Sequence, residues 1–177
     1  MALIGIICDS KDEKYFKKTL EKNLNSNNKT NTIIIINQNS VDNIQNVQFE
    51  TILINSNNEE VLSKKNIINK VLSGSKYLIL NGDVKINIDG INNVKLNVIT
   101  YGFNSKSTVT ASSVEDDIFI CLQRKIMDIK DNIIDEQEIK ICKNKEDNKI
   151  ELVMAIATIM LIYNTEDIKT RNNLQFM

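Results

Sequence analysis

Gly102 stands four residues before Lys106, and Ser107 and Thr108 follow, a spacing close to the phosphate-binding signature G-x-x-x-x-G-K-[ST]. That signature works because successive backbone N–H groups curl round phosphates before a helix begins. Here Ser105 holds the place of the second glycine. The run Thr108-Val109-Thr110-Ala111-Ser112 is small and partly β-branched, a pattern that favours a strand over a helix. A phosphate loop also follows the first strand of its domain, whereas this stretch lies past the middle of the chain. Residues 101–110 are therefore read as strand or hairpin.

Other chemistry is limited by composition. There is no histidine, so triads, histidine metal sites and imidazole acid–base catalysis are excluded. Cys8, Cys121 and Cys142 are far apart in apolar runs and read as buried reduced thiols, since a metal site calls for close pairs. Cys8 has no positive neighbour nearer than Lys11 and reads as packing rather than nucleophile. Lys106 reads as a solvated charge, and Glu59-Glu60 with Lys64-Lys65 as a solvated helix face.

At 177 residues the chain suits one domain with a core of its own. Its 22 basic and 23 acidic residues nearly cancel, with no concentrated basic patch, which argues against a nucleic-acid partner. The start, MALIGIICDS, lacks a basic segment and a small-residue cleavage site, so it is not expected to be a signal peptide and the expected location is the cytoplasm. The longest apolar helix pattern, within 146–164, is shorter than the ~20 residues of a membrane span, so no membrane role is expected.

These residues need elements to position them. Leu3 to Ile7, Ile33 to Ile36, Thr51 to Ile54, Tyr77 to Leu80 and Leu96 to Tyr101 read as buried strands. Ser10 with Glu13 offers a capping box for a helix carrying Phe16, Leu20 and Leu24 on one face. A second helix is expected from Asn58 to Ser73, stopped by Gly74. After residue 102 short strands follow near 106–113, 117–123, 125–130 and 133–142, which implies antiparallel hairpins. Residues 146–164 close the fold as a helix, one side of which could seal an oligomer interface, and 165–177 form a tail. The expected fold class is α/β: a Rossmann-like, mostly parallel sheet over 1–102 flanked by helices, extended by antiparallel strands over 103–145.

In such sheets ligands bind beyond the carboxyl ends of the parallel strands. Those ends carry Asp9-Ser10, Asn37, Asn55-Ser56 and Asn81-Gly82-Asp83. One reading is a polar crevice in which Asp9, Ser10, Asn81 and Asp83 contact a small ligand, with Asp9 and Asp83 around Mg²⁺. The plainer reading is that Asn, Asp and Ser are the ordinary caps and turn formers after strands, and it is favoured because asparagine is abundant throughout. A phosphorylatable receiver domain would place its phosphoacceptor aspartate at the end of the third strand, where Asn55 stands.

The stretch YLILNGDVKINIDGINNVKLNVITYGFNSKSTVTASS resembles the latter half of the central domain of the Mur ligases, ATP-dependent enzymes that extend the peptidoglycan precursor. The resemblance rests on Asn81-Gly82-Asp83 after a strand, on Ile99-Thr100-Tyr101-Gly102, and on the small-residue helix with Met154-Ala155-Ile156-Ala157, and spans residues 74–163. It implies the fold described above and a nucleotide site.

The sequence departs from the family at that site. Where a Mur ligase has a glycine-rich loop after its first strand, this chain has Cys8-Asp9-Ser10-Lys11-Asp12-Glu13, whose acids would repel a triphosphate unless Mg²⁺ intervened. The family's H-N-x-x-N aligns with Asp147-Asn148-Lys149-Ile150-Glu151, so Asn148 is kept as a nucleotide-contact candidate and Glu151 replaces the second asparagine. The family's substrate and amino-acid domains have no counterpart in these 177 residues. The expectation is a degenerate, non-catalytic relative without cofactor that binds a protein partner or itself; the alternative is a small-molecule or nucleotide-binding domain that takes ATP with Mg²⁺ in the crevice.

Overall fold

The structure is a computed structural model and describes residues 2–24, 31–86, 88, 95–114, 117–142, 149–163 and 174–175. The chain divides into two compact units, residues 1–98 and 99–177. Its class is α/β, with a parallel sheet flanked by helices followed by antiparallel strands.

The first unit runs β1 (Leu3–Ile7), α1 (Ser10–Leu24), β2 (Thr32–Ile35), a 3-10 turn (Val41–Asn43), β3 (Thr51–Ile54), α2 (Glu59–Leu62), α3 (Lys65–Ser73) and β4 (Tyr77–Asn81). Its strands lie in the order β4-β3-β1-β2, and every pairing is parallel. Ile4, Ile6, Leu53 and Ile79 are buried on one face of this sheet by the two-residue alternation of a strand. The other face carries Ile7, Ile36, Ile52, Ile54 and Leu78, packed with Phe49 and with Val61, Ile68 and Leu72 of the α2–α3 segment. Phe16, Leu20 and Leu24 are buried as the 3.6-residue period requires, and α1 packs along β2.

Gly5 sits in the middle of β1 for want of room. A Cβ there would lie 2.7 Å from Ile52 Cδ1, 2.8 Å from Ile36 Cδ1 and 3.0 Å from Phe49 Cδ1. Gly5→Ala is therefore expected to lower stability by roughly 1–3 kcal/mol through overpacking, read as a shift in the urea midpoint with an unchanged slope.

The expected 58–73 helix is two helices. Asn58 caps the first, its side chain accepting from the Val61 amide at 3.3 Å. At Lys64 the backbone leaves helical geometry, with φ −75° and ψ 54°, and α3 starts afresh. Gly74 ends α3 as anticipated, although in right-handed geometry. Likewise α1 begins at Ser10 itself rather than being capped by it.

The second unit begins within β5 (Asn97–Tyr101) and continues with β6 (Val109–Val114), β7 (Asp117–Leu122), β8 (Ile126–Met127), β9 (Ile133–Ile134), β10 (Gln137–Cys142), α4 (Ile150–Tyr163) and β11 (Leu174–Gln175). Its strand order is β11-β10-β7-β6-β5, while β8 and β9 form a hairpin of their own. The β6–β7 and β7–β10 pairs are antiparallel, as expected of consecutive strands. The β5–β6 pair is not a hairpin: it is parallel and touches only at Tyr101 and Val109. A seven-residue link is too short for a parallel crossover of any length, so the chain makes a single bridge. Within the link Gly102 adopts φ 150°, a backbone region that side chains disfavour, and its amide donates to Val109 O at 3.0 Å.

Residues 152–163 of α4 are buried along its whole circumference, and it packs on β6 and β7. The anticipated interface on one side of this helix is therefore corrected, because every side from Leu152 onward is enclosed within a single copy. The N-terminal part of that expected helix, 146–148, lies outside the described residues.

Candidate functional site

The strand order places a topological switch point in the first unit. From β1 the chain turns towards β2, and from β3 it turns towards β4, so the connections diverge from adjacent strands. A crevice at the carboxyl ends of β1 and β3 is where an open α/β sheet takes a ligand. Asp9 and Ser10 follow β1 there, and Asn55 and Ser56 follow β3.

The β1–α1 connection consists of Cys8 and Asp9 alone, with Ile7 in the strand before it and Ser10 in the helix after it. A phosphate cradle needs several consecutive backbone amides between strand and helix, and two residues leave no space for one. The first turn of α1 also carries Asp12 and Glu13. Asp9 lies at the surface, 3.5 Å from Lys11 Nζ. Ser10 is exposed.

The local field is visible in Cys8. Its thiol, 1% exposed, is pushed up to about 12 from an ordinary 9.0, first by burial and then by the charges of Glu13, Asp12 and Asp9. The folded state thus holds the proton more tightly than the unfolded chain does. Below pH 9 this contribution to stability is complete, and it is lost as pH rises from about 9 towards about 12. Over that window Cys8 should remove about 1.4 kcal/mol of stability per pH unit, a slope that urea titrations of Cys8→Ala should lack. Cys121 differs from expectation. It is only half-buried, on β7, with Sγ 3.2 Å from Glu138 Oε1, and burial and that carboxylate raise its pKa. The side chain of Cys142 lies outside the described residues.

Asn81 is buried at the end of β4, and its side chain works inside the fold. Nδ2 donates to Asn55 O at 3.4 Å, and Oδ1 accepts the Asp83 amide at 3.0 Å, the geometry of an Asx turn. Asp83 is exposed. Asp9 and Asp83 follow strands separated by β3, so their backbones start about 10 Å apart by strand spacing alone. The strand order sets Asp9 and Ser10 on the strand next to that of Asn55 and Ser56, and the Asn81 side chain accepts the Asp83 amide. Among the described residues no group of three or more Cys, Asp or Glu is arranged to hold a metal. Asn148 lies outside the described residues, and Glu151 is exposed on the first turn of α4.

The 101–110 stretch resolves into turn and strand. Asn104 Oδ1 accepts the Lys106 amide at 2.9 Å, Asn104 O accepts the Ser107 amide at 2.9 Å, and Lys106 O accepts Arg124 Nη1 at 2.6 Å. Lys106 itself is exposed. Its backbone is therefore committed to holding the turn before β6.

Two features were not flagged by the sequence reading. Ser56 Oγ is enclosed and makes no hydrogen bond among the described residues. A groove of about 610 Å³ lies between α1 and β2, lined by Ser10, Glu13, Lys14 and Lys17 and by Ile33, Ile34 and Ile35. The sequence showed only the apolar stripe of this helix, Phe16, Leu20 and Leu24, and not the place of β2 at the edge of the unit's sheet. Among the described residues no helix is long and apolar enough to cross a membrane. No family model matches this chain, and no curated protein matches it.

Proposed function

We propose that this chain is a non-catalytic, Mur-ligase-like domain that acts by binding a protein partner or itself. The observation that carries the reading is the two-residue turn between β1 and α1, followed at once by Asp12 and Glu13. At the place where a nucleotide's phosphates would need a ring of amides, this chain offers a short turn and negative charge. Asn81 supports it as well, because its amide is consumed in joining β4 to β3. On this reading the protein needs no cofactor, works in the cytoplasm and keeps the sheet as a scaffold for association.

A second reading is favoured by one observation, the enclosed Ser56 hydroxyl beside Asn55. On it, the crevice binds a small molecule or a nucleotide with Mg²⁺ through Asp9, Ser10, Asn81 and Asp83. Calorimetric titration with ATP, ADP and UDP-linked peptide precursors, with and without Mg²⁺, separates the two. Flat titrations are expected. Saturable heat that disappears in Asp9→Ala or Asp83→Ala would overturn the first reading and establish the second.

A further inference from the structure

Asn81-Gly82 is the one Asn-Gly pair in the chain. Such a pair loses ammonia more readily than others, because glycine sets no side chain beside its own amide nitrogen. The fold holds this asparagine closely. It lies one residue past the last β3–β4 pair, Ile54 with Leu80, and is 3% exposed. Its Nδ2 donates to Asn55 O at 3.4 Å, and its Oδ1 accepts the Asp83 amide at 3.0 Å. Its backbone carbonyl accepts the Val84 amide at 3.4 Å. The carboxamide thus ties the end of β4 to the end of β3 and to the turn that follows.

We propose that Asn81 is a deamidation site that the folded chain keeps closed and that opening of the β4 end releases. In the reaction the Gly82 nitrogen attacks Asn81 Cγ. A new N–Cγ bond forms, the Cγ–Nδ2 bond breaks, and Nδ2 leaves as ammonia with the Gly82 amide proton. Water then opens the cyclic imide: its hydroxyl goes to one of the two carbonyl carbons and its other proton returns to the Gly82 nitrogen. The products are aspartate, or isoaspartate with the main chain rerouted through Cγ. Water is the only co-reactant.

Ring closure requires the Gly82 nitrogen on the side of the Cα–C bond where Asn81 Cβ lies. Asn81 is the last residue of β4, and extended backbone turns that nitrogen away. The two hydrogen bonds of the carboxamide keep the side chain from swinging to meet it. Opening of the strand end frees both. After conversion the new carboxylate has no N–H for Asn55 O and brings a charge to a buried place. The isoaspartyl form also lengthens the backbone where the strand ends. A converted chain does not close as before, so reversible opening becomes a permanent change. This inference is independent of whether the chain binds a partner or a nucleotide.

Peptide mass mapping of the full chain tests this. Trypsin releases residues 77–85, YLILNGDVK, in which Asn81 is the sole asparagine, so the mass of this peptide reports one site. Wild-type chain is incubated in mildly alkaline buffer, folded in one sample and unfolded in urea in another. The folded sample is expected to convert at least about tenfold more slowly, a factor set by how seldom the strand end opens. Gly82→Ala, whose methyl shields the nitrogen, should slow conversion in urea. Asn81→Asp, the product made directly, should unfold at a lower urea midpoint than wild type. Equal conversion in both samples, indifference to Gly82→Ala in urea, or an Asn81→Asp chain as stable as wild type would overturn the proposal.

Discussion

Phe49→Ala is expected to lower the free energy of unfolding by about 3–5 kcal/mol, the largest effect of any single truncation named here. Phe49 belongs to no helix or strand, yet it is fully buried. Its ring fills the space that Gly5 leaves open and packs in the cluster of Ile7, Ile36 and Ile52. Removing it leaves a cavity that the β1, β2 and β3 side chains cannot close, because their backbones are fixed by parallel pairing. Chemical denaturation monitored by circular dichroism measures the change. A loss below about 1 kcal/mol would mean that the 36–50 segment does not pack as described.

Asp128→Ala should cost nearly as much, roughly 2–4 kcal/mol. Asp128 is 1% exposed in the β8–β9 loop. Its Oδ1 accepts the amides of Lys130 and Asn132, both at 2.8 Å, and its Oδ2 accepts Asn132 Nδ2 at 2.9 Å. These bonds hold Asp131 at φ 63°, a left-handed conformation that needs such support. Alanine would leave the amides of Lys130 and Asn132 without their acceptor. Asp128→Asn keeps one acceptor oxygen but turns an N–H₂ towards the Asn132 amide, so it should recover only part of the loss. The comparison of the two variants by thermal unfolding separates the hydrogen bonds from the packing.

Much of the first unit was legible because its strands are uninterrupted apolar runs. Leu3–Ile7 and Thr51–Ile54 fall where expected, and the others shift by a residue. The break at Lys64 was hidden, since the helical period continues through 58–73 while the backbone does not. Phe49 was invisible as a core residue because nothing periodic surrounds it. The β5–β6 link misled because strands expected at 96–101 and near 106–113 left only four residues between them, a hairpin length, whereas β6 starts at Val109 and the parallel bridge forms only at Tyr101 and Val109.

The site was less legible than the fold. Asn81-Gly82-Asp83 reads as a polar crevice or as a turn, and a sequence cannot show that Asn81 spends its amide on Asn55 O. The acids after β1 were plain, but the shortness of the connection became meaningful only when α1 was seen to begin at Ser10. The groove needed both of its walls. Residues 10–17 and 33–35 are distant in sequence and meet only because β1 pairs with β2 and α1 lies along that edge.

The central proposal is that this chain works by binding a protein partner or itself rather than by nucleotide chemistry. Calorimetric titration of the full chain with ATP, with and without Mg²⁺, tests it most directly. The account predicts flat titrations, because the two residues between β1 and α1 leave no ring of amides for phosphates. Saturable heat that is lost in Asp9→Ala would contradict it.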